Sequence, residues 1–303
     1  MSAVARFLDS DFVYGFKRSP VAIISALVVL VIVVGAVLAR FIAPHDPFDL
    51  ASLDLLDSFK PPMFQADGDP SFPLGTDDQG RDVLSGILYG TQISLIVAIC
   101  AIGFSLTVGI SVGLLAGYFG GAVDALLMRV VDIQLTFPSI LIALLVDGVV
   151  RAVLPQDMQA ALELYVIVFA IGISRWPQFA RTVRGSTMVE RGRDYVMAAR
   201  VIGISSARIM ISHILPNVLG PVLVIATLNL GLAILDEATL SFLGVGLPPT
   251  EPSLGTLIRI GNNFLFSGEW WITIFPGLTL AAMVLSINLL GDWLRDALNP
   301  RLR

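Results

Sequence analysis

The chain has 303 residues, of which 55% are hydrophobic and only 14% charged, where a soluble domain carries about 25%. With a mean hydropathy of +0.83, this excludes an ordinary soluble domain and predicts an all-α, polytopic membrane protein. The net charge of −5 matters less than where the charges fall, and the single cysteine, Cys100, excludes an internal disulfide.

Taken in chain order, residues 1–20 mix Asp9 and Asp11 with Arg6, Lys17 and Arg18 and read as a cytoplasmic tail. No small-residue cleavage site closes the apolar run that follows. Residues 21–39 lack any charge, so 21–43 reads as an uncleaved first span. Residues 44–86 then form an outer loop with nine aspartates, and prolines at 44, 47, 61, 62, 70 and 73 make it an irregular excursion, not a long helix. Residues 87–296 hold five further spans. These are 87–116, interrupted by Gly90, Gly103, Gly109 and Gly113; 123–146, which carries Arg129, Asp132, Gln134 and Pro138; 162–176, extendable toward Val183; 218–235; and 272–290. Residues 297–303 are the C-terminal tail. Six spans with both termini inside place 14 of the 19 Lys and Arg residues on the cytoplasmic side, the bias expected of an inner face.

Between the fourth and fifth spans, residues 184–217 carry Arg184, Arg191, Arg193, Arg200 and Arg208 and no apolar run of membrane length. Asp194 is placed to cap a short helix through Tyr195, Met197, Ala198, Ala199 and Arg200. Gly203 breaks that helix, Ser205 or Ser206 caps a second one over 207–215, and Pro216-Asn217 ends it. The result is a helix–Gly–helix elbow with Ala198 and Ala199 on one face, suited to passing on rigid-body motion. Gly203→Asp or a bulky residue at Ala199 is expected to break that passage of motion without preventing assembly.

Polar groups inside spans are functional candidates because their burial in lipid is costly. Asp132, Gln134, Asn229, Asp236 and Glu237 qualify as conduit-lining candidates. The plainer alternatives are that Asp132 pairs with Arg129, that Asp236 and Glu237 sit at the outer mouth, and that Asn229 joins helices. Segment 240–268, with Gly244, Gly246, Pro248, Pro249 and Pro252, reads as a re-entrant or surface gate. No GxxxxGK[ST] loop surrounds either lysine, Lys17 or Lys60, so the chain is not expected to hydrolyse ATP. His45 and His213 fall on opposite sides and are not expected to share a metal. A membrane-embedded enzyme is disfavoured because the spans hold no histidine. An ion-coupled secondary transporter, the rival from another class, is disfavoured by the absence of an internal repeat.

Residues 197–217 resemble the EAA loop of inner-membrane permease subunits of ATP-binding-cassette importers. Met197-Ala198-Ala199 stands for the E-A-A, Gly203 for its glycine, and His213 to Asn217 for its ending. Met197 replaces the family's glutamate, so no salt bridge is expected there while the shape is kept. Four stretches resemble a narrower group, the C-type permeases of dipeptide, oligopeptide and nickel importers: residues 74–95 (LGTDDQGRDVLSGILYGTQISL), 113–144, 239–258 and 275–303 (FPGLTLAAMVLSINLLGDWLRDALNPRLR). The resemblance implies a type I ABC importer permease fold in the inner membrane, paired with a homologous permease to form a conduit. It implies two ATPase subunits docking on Tyr195, Met197, Ala198, Ala199, Arg200, Gly203, Arg208, His213 and Pro216. It also implies a periplasmic or lipid-anchored substrate-binding protein, with the acidic loop meeting either that protein or the partner permease, and a peptide cargo, with nickel, glutathione or oligosaccharide as alternatives. This chain would bind no cofactor and no nucleic acid; ATP and Mg would serve the partner subunits.

Overall fold

The computed structural model describes residues 11–47, 49, 53–153, 155–246 and 253–297, without the side chains of residues 11–13 and 156–161. Expectations for residues 1–10 and 298–303 and for Pro248, Pro249 and Pro252 lie outside the described residues. A short helix α1 (Asp11–Arg18) leads into α2 (Pro20–Val37), which Ser19 caps by accepting a hydrogen bond from the Ala22 amide at 3.3 Å. Proline at the first helical position costs nothing, because its missing N–H would have had no partner. A one-turn helix, α3 (Ala39–Ile42), follows, and then come the long outer excursion and α4 (Val83–Phe119). The remaining helices are α5 (Gly121–Leu135), α6 (Ser139–Val153), α7 (Gln156–Arg191), α8 (Asp194–Val201), α9 (Ser206–Phe242), α10 (Leu254–Asn262) and α11 (Trp271–Ala297).

Four of these, α2, α4, α9 and α11, are long and apolar enough to cross a membrane, and α5 with α6 makes five if that bent pair is one span. The expected span 162–176 lies within α7, where Glu163, Arg175, Gln178 and Arg181 dilute the apolar run. The expected span 123–146 is two helices bent by 90°. Pro138 causes this, since its ring removes a backbone donor and forces Phe137 out of helical conformation.

The most extensive helix contact is between α4 and α7. Gly109 and Gly113, two of the glycines expected to interrupt the second span, instead build this contact together with Gly117. A Cβ on Gly109 would fall 2.5 Å from the Phe179 Cβ, one on Gly113 2.6 Å from the Ala180 carbonyl, and one on Gly117 2.7 Å from the Thr187 Cβ. Spaced four apart, they lie on one stripe of α4 and let the two backbones approach, as small residues do between membrane helices. Ser105 adds a 2.8 Å bond to the Gly172 carbonyl across the same seam. Helix α2 packs on α11 and α4, and α11 on α9, with most of α2 facing outward.

The acidic excursion uses its aspartates internally. Asp54 caps a 3₁₀ turn, Asp57 and Asp69 both grip Lys60 at 2.7 and 2.8 Å, and Asp77 holds Arg81 at 2.7 Å. Asp82 caps α4 through the Ser85 amide at 2.8 Å. Lys60, and next the Ser71 amide, pull the Asp69 carboxyl down to about 2. Burial, and then the Asp77 charge, push Asp78 above its ordinary value. Trp271 donates to the Thr76 carbonyl at 3.0 Å and seats the loop on the start of α11.

Candidate functional site

The insert between α7 and α9 is an elbow whose first arm is α8. Val196 and Ala199 are buried against the rest of the chain, whereas Met197, Ala198 and Arg200 are exposed. The two alanines therefore do not share a face: Ala199 seats the arm and Ala198 is on the outward side. Val201 and Ile202, 87% and 74% exposed, make that outward side apolar, a feature the sequence reading missed. Arg193, not Asp194, is the N-cap residue, and Asp194 stands in the first turn. Gly203 ends the arm with φ +81; its amide bonds the Arg200 carbonyl at 3.0 Å, and the Ile204 amide bonds the Ala199 carbonyl at 3.0 Å. This paired pattern needs a left-handed residue at that position.

The second arm departs from expectation. Ser205 is its N-cap residue without a side-chain bond, and the helix does not end at Pro216-Asn217. It passes through a π-helical stretch (Ile209–Ile214) containing His213 and continues as Leu215–Phe242, with Pro216 in the first turn of that part. Arg208 and Pro216 are exposed. The elbow's second arm and the expected span 218–235 are thus one helix of 37 residues.

A tyrosine clasp closes the elbow. The Tyr195 hydroxyl donates to Glu190 at 2.6 Å and accepts from the Asn217 side-chain amide at 3.1 Å, joining the end of α7 to α9. Burial, and next the bond to Glu190, push the Tyr195 phenol above its ordinary value. On the other side, the Arg200 guanidinium lies 4.8 Å over the Tyr118 ring at the end of α4, and Arg191 bonds the Tyr118 carbonyl at 3.0 Å. Arg184 forms a bidentate pair with Asp124 of α5, and two parallel bonds of this kind fix orientation as well as distance. Arg184 and Arg191, read from sequence only as topology markers, and Arg200, expected to meet an ATPase, therefore bind the ends of α4, α5 and α7 around the elbow.

The intramembrane candidates are not gathered on one wall. Gln134 donates to the Ile173 carbonyl of α7. Asp132 pairs with Arg181 of α7 at 2.6 Å rather than with Arg129, and both partners are 58% exposed. Asn229 is buried, and Glu237, with 0% exposure, has no surface with which to line a conduit or an outer mouth. Arg175, expected in a cytoplasmic segment, is buried within α7; it pairs with Asp236 at 2.6 Å and donates to Asn229 at 3.3 Å. The Glu237 carboxylate accepts from Ser94 of α4 at 2.6 Å and from Ser241 at 2.8 Å. Among the described residues, no three His, Cys, Asp or Glu side chains cluster as a metal would need.

Residues 109–303 match the family described as binding-protein-dependent transport system inner membrane component, and residues 10–62 match the N-terminal TM domain of oligopeptide transport permease C. The chain is 39% identical over 293 residues to the dipeptide transport system permease protein DppC of Haemophilus influenzae, covering 97% of this chain and 95% of that one. It is 42% identical to the Escherichia coli K12 protein of the same name, covering 97% and 93%. With a putative peptide transport system permease protein of Brucella suis it shares 39% identity over 92% of this chain and 88% of that one. A chain of the inward-facing MetNI methionine ABC transporter superposes with a TM-score of 0.55 at 19% identity, over 71% of this chain and 96% of that chain, a likeness of fold.

Proposed function

Because this chain belongs to the family of binding-protein-dependent transport system inner membrane components, we infer that it is a permease subunit of an ATP-driven peptide importer. It is a multi-pass protein of the inner membrane and carries a helical conduit-forming fold, not an enzyme's site. The reading extends to a second, homologous permease with which it forms the conduit, two ATPase subunits that supply ATP and Mg chemistry, and a substrate-binding protein that delivers the peptide. With the arginine-rich elbow in the cytoplasm, both termini are cytoplasmic and the acidic excursion faces the binding protein.

One observation carries the mechanism: the elbow's second arm and the expected span 218–235 are a single helix, Ser206–Phe242. A partner seated on the outward face of α8, on Met197, Ala198, Arg200, Val201 and Ile202, moves the arm. The Tyr195 clasp and the Gly203 turn hold the arm to α9, so the displacement passes into the membrane without a flexible loop. At that interface no cation is required of the partner, since Met197 presents a thioether where a carboxylate would have offered charge.

The test is reconstitution of this subunit with its partner permease, ATPases and binding protein in lipid vesicles. Uptake of a labelled dipeptide that requires both ATP and the binding protein is the expected result. Uptake of nickel, glutathione or an oligosaccharide in place of peptide would move the cargo assignment, and uptake driven by an ion gradient without ATP would overturn the reading.

A further inference from the structure

Asp236 and Glu237 are adjacent acidic residues near the far end of α9, and they grip in opposite directions. Asp236 reaches Arg175 of α7. Glu237 turns the other way, into a wholly buried site with no cation among the bonds that hold it: Ser94 of α4 donates to it at 2.6 Å and Ser241 of its own helix at 2.8 Å. Ser253 is the N-cap of α10, accepting from the Thr256 amide at 3.3 Å. Ser94 in turn accepts from the Leu254 amide, the first residue of α10, at 3.4 Å. Ser94 therefore stands between the Glu237 carboxylate of α9 and the first amide of α10. Backbone packing seals the contact, because a Cβ on Gly255 would meet the Ala238 carbonyl at 2.3 Å.

A buried carboxyl surrounded only by hydroxyls is costly to keep and gains nothing from a charge partner. Its return is geometric: it fixes where α10 stands relative to α9. We propose that Glu237 is a positioning residue that clamps the short outer helix Leu254–Asn262 to the end of α9, so that α10 moves as one body with the helix that begins in the elbow. On the importer reading, on which this inference rests, α10 is then an outer element of the gate, seated where α9 meets α4 and α11.

The experiment uses the full importer complex in vesicles with Cys100→Ser, which removes the exposed native thiol. Spin labels go on Thr239→Cys and Asn262→Cys, both exposed positions, and a control pair on Thr107→Cys and Ile211→Cys, also exposed, spans α4 and the elbow end of α9. The expected result is a narrow 239–262 distance distribution that stays fixed when a non-hydrolysable ATP analogue is added, while the 107–211 distance changes. Glu237→Ala should broaden the 239–262 distribution at rest and raise the ATP hydrolysed per peptide imported by about tenfold, the factor expected from stranding one buried hydrogen-bonding group. Glu237→Gln, which keeps two hydrogen-bonding atoms in place, should stay within about twofold of the native ratio. Ser94→Ala deletes only the hydroxyl between Glu237 and Leu254 and decides the matter should Glu237→Ala fail to assemble. A 239–262 distance that shifts with nucleotide in the native complex overturns the proposal, as does one that stays narrow in both Glu237→Ala and Ser94→Ala. A control pair that ignores nucleotide counts against the importer reading instead, and the resting distributions still decide the clamp.

Discussion

Arg175 shows how much a single side chain commits in this molecule. It is buried in α7 and bound to Asp236, Asn229 and the Leu232 carbonyl, all on α9. Removing one partner of such a pair strands the other charge, whereas removing both does not. Arg175→Ala should therefore destabilise the subunit by about 3–5 kcal/mol, and Arg175→Ala with Asp236→Ala by clearly less, in thermal unfolding of the detergent-purified complex. Equal losses would mean that the pair is not coupled. Gly203 makes the opposite case, since a Cβ there meets no atom and only its φ of +81 resists substitution. Gly203→Val should cost about 1–2 kcal/mol of backbone strain and raise the ATP consumed per peptide. Gly203→Asn should keep the native ratio, because asparagine tolerates the left-handed region, and an equal effect of the two would point to lost space instead of conformation. Arg175 was not legible as a buried cation because its partners lie more than fifty residues downstream. A window sliding along the chain sees only an arginine after an apolar run.

Among the helices, the α4–α7 seam corrects a rule applied too simply. Glycine weakens a helix in water, and this reading broke the second span at Gly109 and Gly113. Inside a membrane the same residues are where two helices meet, and their spacing of four was the signal. Gly113→Ile should overpack the seam and lower stability by about 1–3 kcal/mol. Gly103→Ala, whose Cβ would meet nothing, should leave stability unchanged or raise it by about 0.5–1 kcal/mol. Thermal unfolding of both variants checks the pair, and equal losses would remove the stripe's role. The elbow was legible as a helix, a glycine turn and a second helix because those signals are local. Its continuation through Pro216 was not. Proline marks both the end of one helix and the first turn of another, and here a π-helical stretch (Ile209–Ile214) takes up the change in hydrogen-bond register before it.

For the molecule as a whole, composition and the positions of the apolar runs were enough to give an all-α membrane fold. The N-terminal span and the last two spans fell where the hydropathy placed them. The count in the middle of the chain stayed approximate, because α5 and α6 bend by 90° and α7 mixes apolar and charged residues along 36 positions. Charged groups that look like loop markers serve instead as fasteners between helices, and no one-dimensional pattern separates the two uses. Seams that hold by glycine contact, such as α4 on α7, make a frame that does not yield, while α9 runs beside it from the elbow to the far end. At 37 residues and 1.5 Å per residue, α9 is about 55 Å long. Held at its far end by Arg175 and Ser94, α9 pivots there, and a tilt of roughly 5° corresponds to about 5 Å at the elbow, by simple trigonometry on that length. On the importer reading, a push of that size at the elbow turns the far end by only those few degrees, and the gearing lies in the length of a single helix.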